Sequence, residues 1–220
     1  SIPGNESYPN KAYVTWELQL NPAFQRAESL GATLDGVYLD SFQGYFPDTE
    51  NYRKEHFHNL SFPLQWDEGT YEPVLLDLFT HYPLTEQIST RMHEQGKLIM
   101  ANTIHTLSTF FAHLVDVAGI EVNWLPGGQY SPDSDRIFNY RRSIMYQKPY
   151  LLLMNTNFDY MTYDVVEKYF KRCAHYAVFP SMFSADASTH PYWENGVLYD
   201  RDRPLFKKYI PIIKELSKAG

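Results

Sequence analysis

Short apolar runs alternate with helix-length amphipathic segments along most of this 220-residue chain, and that alternation restricts the fold more than any single motif. Strand-like stretches lie at 12–20, 34–42, 97–103, 120–125, 150–155 and 177–183. Helical spacing covers 21–29, 74–95, 107–117, 133–146, 163–175 and 203–218. Asn21-Pro22 reads as a helix start, Gly96 as a stop and Pro126-Gly127-Gly128 as a turn. Apolar strands joined by helices predict parallel βα units with right-handed crossovers. The expected fold is therefore α/β, a (β/α)8 TIM barrel of which residues 1–220 hold the C-terminal six βα units as one partial domain. A six-stranded fragment leaves two hydrophobic edges, so the missing N-terminal part or another chain is expected to complete it. An open doubly wound sheet is the alternative. Residues 43–73 form a long polar and aromatic insertion with Pro47, Pro63, Trp66 and Gly69.

The stretch Leu34-Asp35-Gly36-Val37-Tyr38-Leu39-Asp40-Ser41-Phe42 delivers a carboxylate to the C-terminal end of its own strand. Period-2 alternation puts Asp35 and Asp40 on opposite faces. In parallel α/β folds the strand C-termini carry the active site, so Asp40 stands where chemistry is done. The plainer role for Asp40 is to cap the following turn. Glu121 lies inside the apolar run Gly119-Ile120-Glu121-Val122-Asn123-Trp124. Its expected burial demands a partner or a proton, and a carboxyl in a dry wall suits a general acid. The plainer role for Glu121 is a salt bridge to Arg141 or Arg142.

Composition narrows the ligand. Aromatic residues make up 16% of the chain, and their faces stack equally well on sugars and on bases. A net charge of −7 with no Lys/Arg run argues against a nucleic-acid phosphate footprint. No apolar run is long enough to span a membrane. The single Cys173 forms no intrachain disulfide, leaves the compartment open, and has no evident His partner for a thiol nucleophile. No Gly-rich phosphate fingerprint follows any strand, and no organic cofactor is implied.

Each strand end offers a polar group: Glu17 and Gln19, then Asp40, then Asn102 and His105, then Glu121 and Asn123. The last two offer Asn155, Asn157 and Asp159, and Ser184 and Asp186. With Trp16, Trp66, Trp124, Tyr130 and Trp193 nearby, such a rim suits a hydroxyl-rich ligand. Two carboxylates flanking a glycosidic bond make a glycosidase, retaining when about 5–5.5 Å apart and inverting at about 6.5–9.5 Å.

Trp16 through Leu20-Asn21-Pro22, followed by the Asp-Gly-x-x-x-Asp strand ending at Asp40, resembles the third-to-fourth-strand region of retaining glycoside hydrolase barrels. The α-galactosidase and α-glucosidase clan and the endo-α-N-acetylgalactosaminidase group are similar. Asp116-Val117-Ala118-Gly119-Ile120-Glu121 and the units after it resemble glycosidase-like barrels of polysaccharide-degrading bacteria. The resemblance implies that Asp40 is the nucleophile. The clan's acid is an Asp after the sixth strand, where this chain has Glu121 within the strand or Asp133 and Asp135 after it; the endo-acting group's Glu after the fifth strand is replaced by Asn102.

The expected function is a glycoside hydrolase acting on an oligo- or polysaccharide, in a secreted or periplasmic setting. Asp40 and Glu121 are the expected catalytic pair. Asn102, His105, Asn123, Asn155, Asp159 and Asp186 would position hydroxyls, and Trp66, Trp124, Tyr130 and Trp193 would stack on sugar rings. Two rivals come from other classes. One is a carbohydrate-binding barrel without catalysis. The other is a metal-dependent amidohydrolase-like enzyme using His56, His58, His105 and Asp186, although the glycosidase reading needs no metal.

Overall fold

A computed structural model describes residues 10–42, 50–58, 62–104, 106–183 and 192–219. The chain divides into two compact units, Ser1–Met100 with His105–Val115, and Ala101–Ile104 with Asp116–Gly220. It starts with α1 (Lys11–Tyr13), a π-helix (Val14–Leu20), α2 (Asn21–Ser29), β1 (Gly36–Leu39), β2 (Glu50–Asn51) and α3 (Lys54–Phe57). Then come β3 (Gln65–Trp66), β4 (Pro73–Leu76), α4 (Asp77–Glu94), β5 (Leu98–Asn102) and a 3-10 helix at Thr106–Leu114. The remainder is β6 (Val117–Val122), α5 (Asp135–Met145), β7 (Tyr150–Met154), α6 (Tyr163–His175), β8 (Phe179–Met182) and α7 (Gly196–Lys218). The main sheet has five strands in the order β1-β5-β6-β7-β8, and β2-β4-β3 make a small second sheet. The protein is thus mixed α/β with a parallel sheet, and the described strands do not close into a barrel.

In the first unit the expected strand at 12–20 is helical. Asn10 accepts a hydrogen bond from the Tyr13 backbone N–H at 2.9 Å and so starts a helix, which runs on to Ser29. Its alternating Val14, Trp16, Leu18 and Leu20 imitate a strand, yet Leu18 is exposed. Pro22 explains the π turns, because a proline ring collides with the carbonyl four residues back in a regular helix. The wider turn relieves that collision, and the Asn21 N–H reaches the Trp16 carbonyl instead.

Gly36 of the Asp-Gly-x-x-x-Asp motif has a packing cause. A side chain there would collide with the Leu98 backbone of β5, whose N–H donates to the Asp35 carbonyl at 2.8 Å. Part of the expected insertion folds as a sheet: β4 pairs antiparallel with β2 (Glu50↔Leu76) and with β3 (Gln65↔Val74). The helix expected from residue 74 therefore begins at Asp77; it ends at Glu94, and Gly96 just beyond its cap has a φ of 67°.

The second unit follows the expected βα alternation closely. β7 runs parallel to β6 (Ile120↔Leu152) and to β8 (Leu152↔Pro180). β6 starts three residues earlier than expected, because small Ala118 and Gly119 hide its first half in sequence. α6 spans the expected residues and buries Val166, Tyr169, Phe170, Cys173 and Ala174, a helical stripe. The Tyr169 hydroxyl ties β7 to β8: it lies 2.9 Å from the Leu152 carbonyl and accepts from the Ser181 N–H at 3.2 Å. α7 starts earlier than expected, at Gly196, with Asn195 capping the Leu198 N–H.

Candidate active site

The second unit builds a carboxylate clamp at its strand ends. Glu121 is the penultimate residue of β6 and is exposed, not buried in an apolar wall as expected. The strand buries Ala118, Gly119 and Val122, and Glu121 lies on the opposite face from Val122, exposed at its end. Asn102 at the end of β5 donates its amide to Glu121 Oε1 at 3.0 Å, and Asn155 after β7 donates to Oε2 at 3.0 Å. Asn102 is itself buried, and its Oδ1 accepts from the Thr103 hydroxyl at 3.4 Å, which turns the amide nitrogen toward Glu121. Thr103 adopts a φ of 72°, unusual for a β-branched residue. Such strain persists where the surroundings fix a geometry, and it clusters at functional sites. Asn155 Oδ1 is buried and has no hydrogen-bond partner among the described residues.

The salt bridge considered for Glu121 is not found. Arg141 pairs with Asp133 at 2.6 Å, and Arg142 donates to the Ser217 carbonyl at 2.7 Å. Asn123 is exposed, and its Oδ1 accepts from the Leu125 N–H and the Thr156 hydroxyl, both at 2.9 Å. It shapes the turn after β6. Trp124, expected to stack on a sugar, is only 1% exposed. Its Nε1 donates to Asp133 at 3.2 Å, and Tyr130, Phe138 and Tyr169 meet its ring edge-on. The structure places it in the core, packed by these rings and bonded to the Asp133 carboxylate. Tyr130 is half-buried, and burial raises its hydroxyl's pKa. Asp159 is exposed on a short 3-10 turn. Trp193 is 48% exposed, with Nε1 bonded to the Met182 carbonyl at 3.1 Å and its ring against Tyr199 and Phe206. Cys173 is fully buried, and burial pushes its thiol well up, which makes it inert as a nucleophile.

The first unit presents Asp40 at the C-terminal end of β1, exposed and within reach of the Tyr38 hydroxyl (3.3 Å) and the Ser41 hydroxyl (3.4 Å). Ser41 has a φ of 46°, so strained backbone follows this carboxylate too. Asp40 lines a cavity of about 250 Å³ together with Lys11, Thr15, Gln19, His81 and Leu84. Burial and the Lys11 ammonium push the His81 pKa down, against its bond to the Phe42 backbone and the nearby Asp77. Trp66 is 67% exposed on β3. Trp16 carries the Arg91 guanidinium 4.6 Å above its ring.

His105 and Asp186 lie outside the described residues. Of the metal rival's other members, His56 Nδ1 is 2.9 Å from the Asn51 amide, and His58 follows α3. Among the described residues no three His, Cys, Asp or Glu side chains are grouped to hold a metal ion. None of the described helices is long and apolar enough to cross a membrane.

Sequence reasoning missed Lys11 and His81 as cavity residues. Lys11 preceded an apparent strand, and His81 fell in a helical pattern where histidines are usually surface or packing groups. The Asn10 cap just before Lys11 was the available signal. No protein family, curated protein or solved structure matches this chain.

Proposed function

We propose that the protein is a glycoside hydrolase of the (β/α)8 barrel type, cleaving a glycosidic bond in an oligo- or polysaccharide with Asp40 as nucleophile and Glu121 as general acid/base. The observation that carries this reading is the clamp on Glu121. A carboxylate held on both oxygens by amides from neighbouring strand ends has a fixed direction, and each oxygen keeps a lone pair for a proton or a hydroxyl. Asp40 has the second requirement, an exposed carboxylate at a strand C-terminus beside a cavity.

In the first step Asp40 attacks the anomeric carbon while Glu121 protonates the departing glycosidic oxygen. In the second, Glu121 takes a proton from water, which displaces Asp40 and releases the sugar with retained configuration. Asn102 and Asn155 orient Glu121 through both steps.

The test is labelling by a panel of cyclitol epoxides and aziridines, followed by peptide mass mapping. A covalent adduct on Asp40 is expected, and its preferred cyclitol gives the sugar configuration. An adduct on another carboxylate, or none with any cyclitol, overturns the assignment. Glu121→Gln is expected to lower kcat by about 10²–10⁴-fold on substrates with poor leaving groups. Aryl glycosides with acidic leaving groups should lose far less, because they need no proton to depart.

A further inference from the structure

The cavity at Asp40 has features that a lone nucleophile does not require. One wall comes from the π-helix, whose Thr15 and Gln19 line it. A π segment of seven residues is rare, and π turns gather at functional sites. The strained Ser41 lies at the same cavity, beside Asp40. Two apolar side chains of α4, Leu84 and Ile88, share the lining with these polar groups. A sugar ring has matching chemistry, an apolar C–H face and a belt of hydroxyls.

His81 supplies the specific element. Its ring is bonded to the Phe42 backbone, and the bond favours the charged imidazole, as donation to a carbonyl does. Burial and Lys11 outweigh that effect and favour the neutral ring. A neutral imidazole that donates through one nitrogen accepts through the other. Lys11 lines the same cavity and carries donors but no acceptor.

We propose that this cavity is the subsite for one hexopyranose ring at Asp40, with His81 accepting a hydrogen bond from a ring hydroxyl and Gln19 and Lys11 bonding others. The proposal rests on the glycosidase reading above and adds the residues that recognise the sugar. His81 is a binding residue in it, separate from the two reacting carboxylates.

The experiment is protection of Asp40 from the labelling cyclitol by methyl glycosides of glucose, galactose and N-acetylgalactosamine. It is run on the wild type, His81→Gln and His81→Leu, with circular dichroism to confirm folding. The best glycoside is expected to protect the wild type and His81→Gln at similar concentrations, since glutamine keeps an acceptor. His81→Leu should need about tenfold more, the effect of one lost hydrogen bond. Should His81→Leu not fold, the exposed Gln19→Leu variant replaces it, with a several-fold weakening expected. Equal protection in the variants, or no protection by any glycoside, overturns the subsite while the Asp40 adduct still supports the glycosidase reading. If no cyclitol labels Asp40, the catalytic reading fails instead. The His81 ring signals in an NMR titration with the same glycosides then decide the subsite: movement supports it, and fixed signals end it.

Discussion

The carboxylates of Glu121 and Asp40 are both exposed at strand C-termini, but they are held in different ways. Glu121 is gripped by amides from β5 and from the loop after β7, so the hydrogen-bonded strands set its direction. The same unit holds an aromatic core in which Trp124 and Tyr169 are almost fully buried. The hydroxyls that reach Asp40 come from the flanking Tyr38 and Ser41, at 3.3 and 3.4 Å. Next to it lies a cavity walled by a π-helix. Glu121 is held by two amides, and Asp40 borders a cavity. Under the proposed reading, a fixed carboxylate suits an acid/base and a carboxylate beside a cavity suits a nucleophile.

The rigid side should lose most when its support is cut. Trp124→Ala removes an indole that touches three aromatic rings and an acceptor carboxylate. We expect a loss of about 3–5 kcal/mol, read as a lowered urea midpoint. A loss below about 1 kcal/mol would mean that Trp124 is not packed as described, and would restore its expected role as a sugar platform.

The two carboxylates themselves give a finer comparison. Glu121→Ala strips the acceptor from two amides, one of them on buried Asn102, and should cost about 1–2 kcal/mol. Asp40→Ala, at an exposed position, should change stability by no more than about 0.5 kcal/mol. Parallel denaturant titrations check both values. Equal losses would erase the contrast between a clamped and an open rim.

The same contrast governs what the sequence made legible. In the second unit apolar patterning and core packing agree: β7 alternates buried residues, α6 buries a continuous stripe, and both fall where periodicity puts them. In the first unit local chemistry overrides the pattern. Val14, Trp16, Leu18 and Leu20 alternate like a strand, but the Asn10 cap and Pro22 make a helix with π turns. The sheet β2-β4-β3 uses strands of two to four residues, too short to leave a periodic signal. At the sites, the type and strand-end position of Asp40, Asn102, Glu121 and Asn155 were readable. Burial was not, because alternation assigns faces without saying which face meets solvent. Glu121 was expected inside and is exposed, whereas Trp124 was expected at the rim and is buried.

The smallest effect concerns His81, a titrating group at the Asp40 cavity. Folding holds its pKa below the ordinary value of 6.5, chiefly through burial and secondarily through Lys11. Of the charged groups around it, Asp77 acts in the opposite direction, and Asp40 lines the same cavity with the neutral Tyr38. A group whose folded value is depressed in this way binds more protons when unfolded, so stability rises with pH across the window between the two values. The His81 contribution is complete above about pH 6.5 and falls as the solution is acidified through the folded value. His81→Gln cannot titrate, so the difference in unfolding free energy between wild type and variant should change slope below pH 6.5 and be flat above it. A flat difference throughout would place His81 in contact with solvent, and the proposed subsite would lose its neutral acceptor.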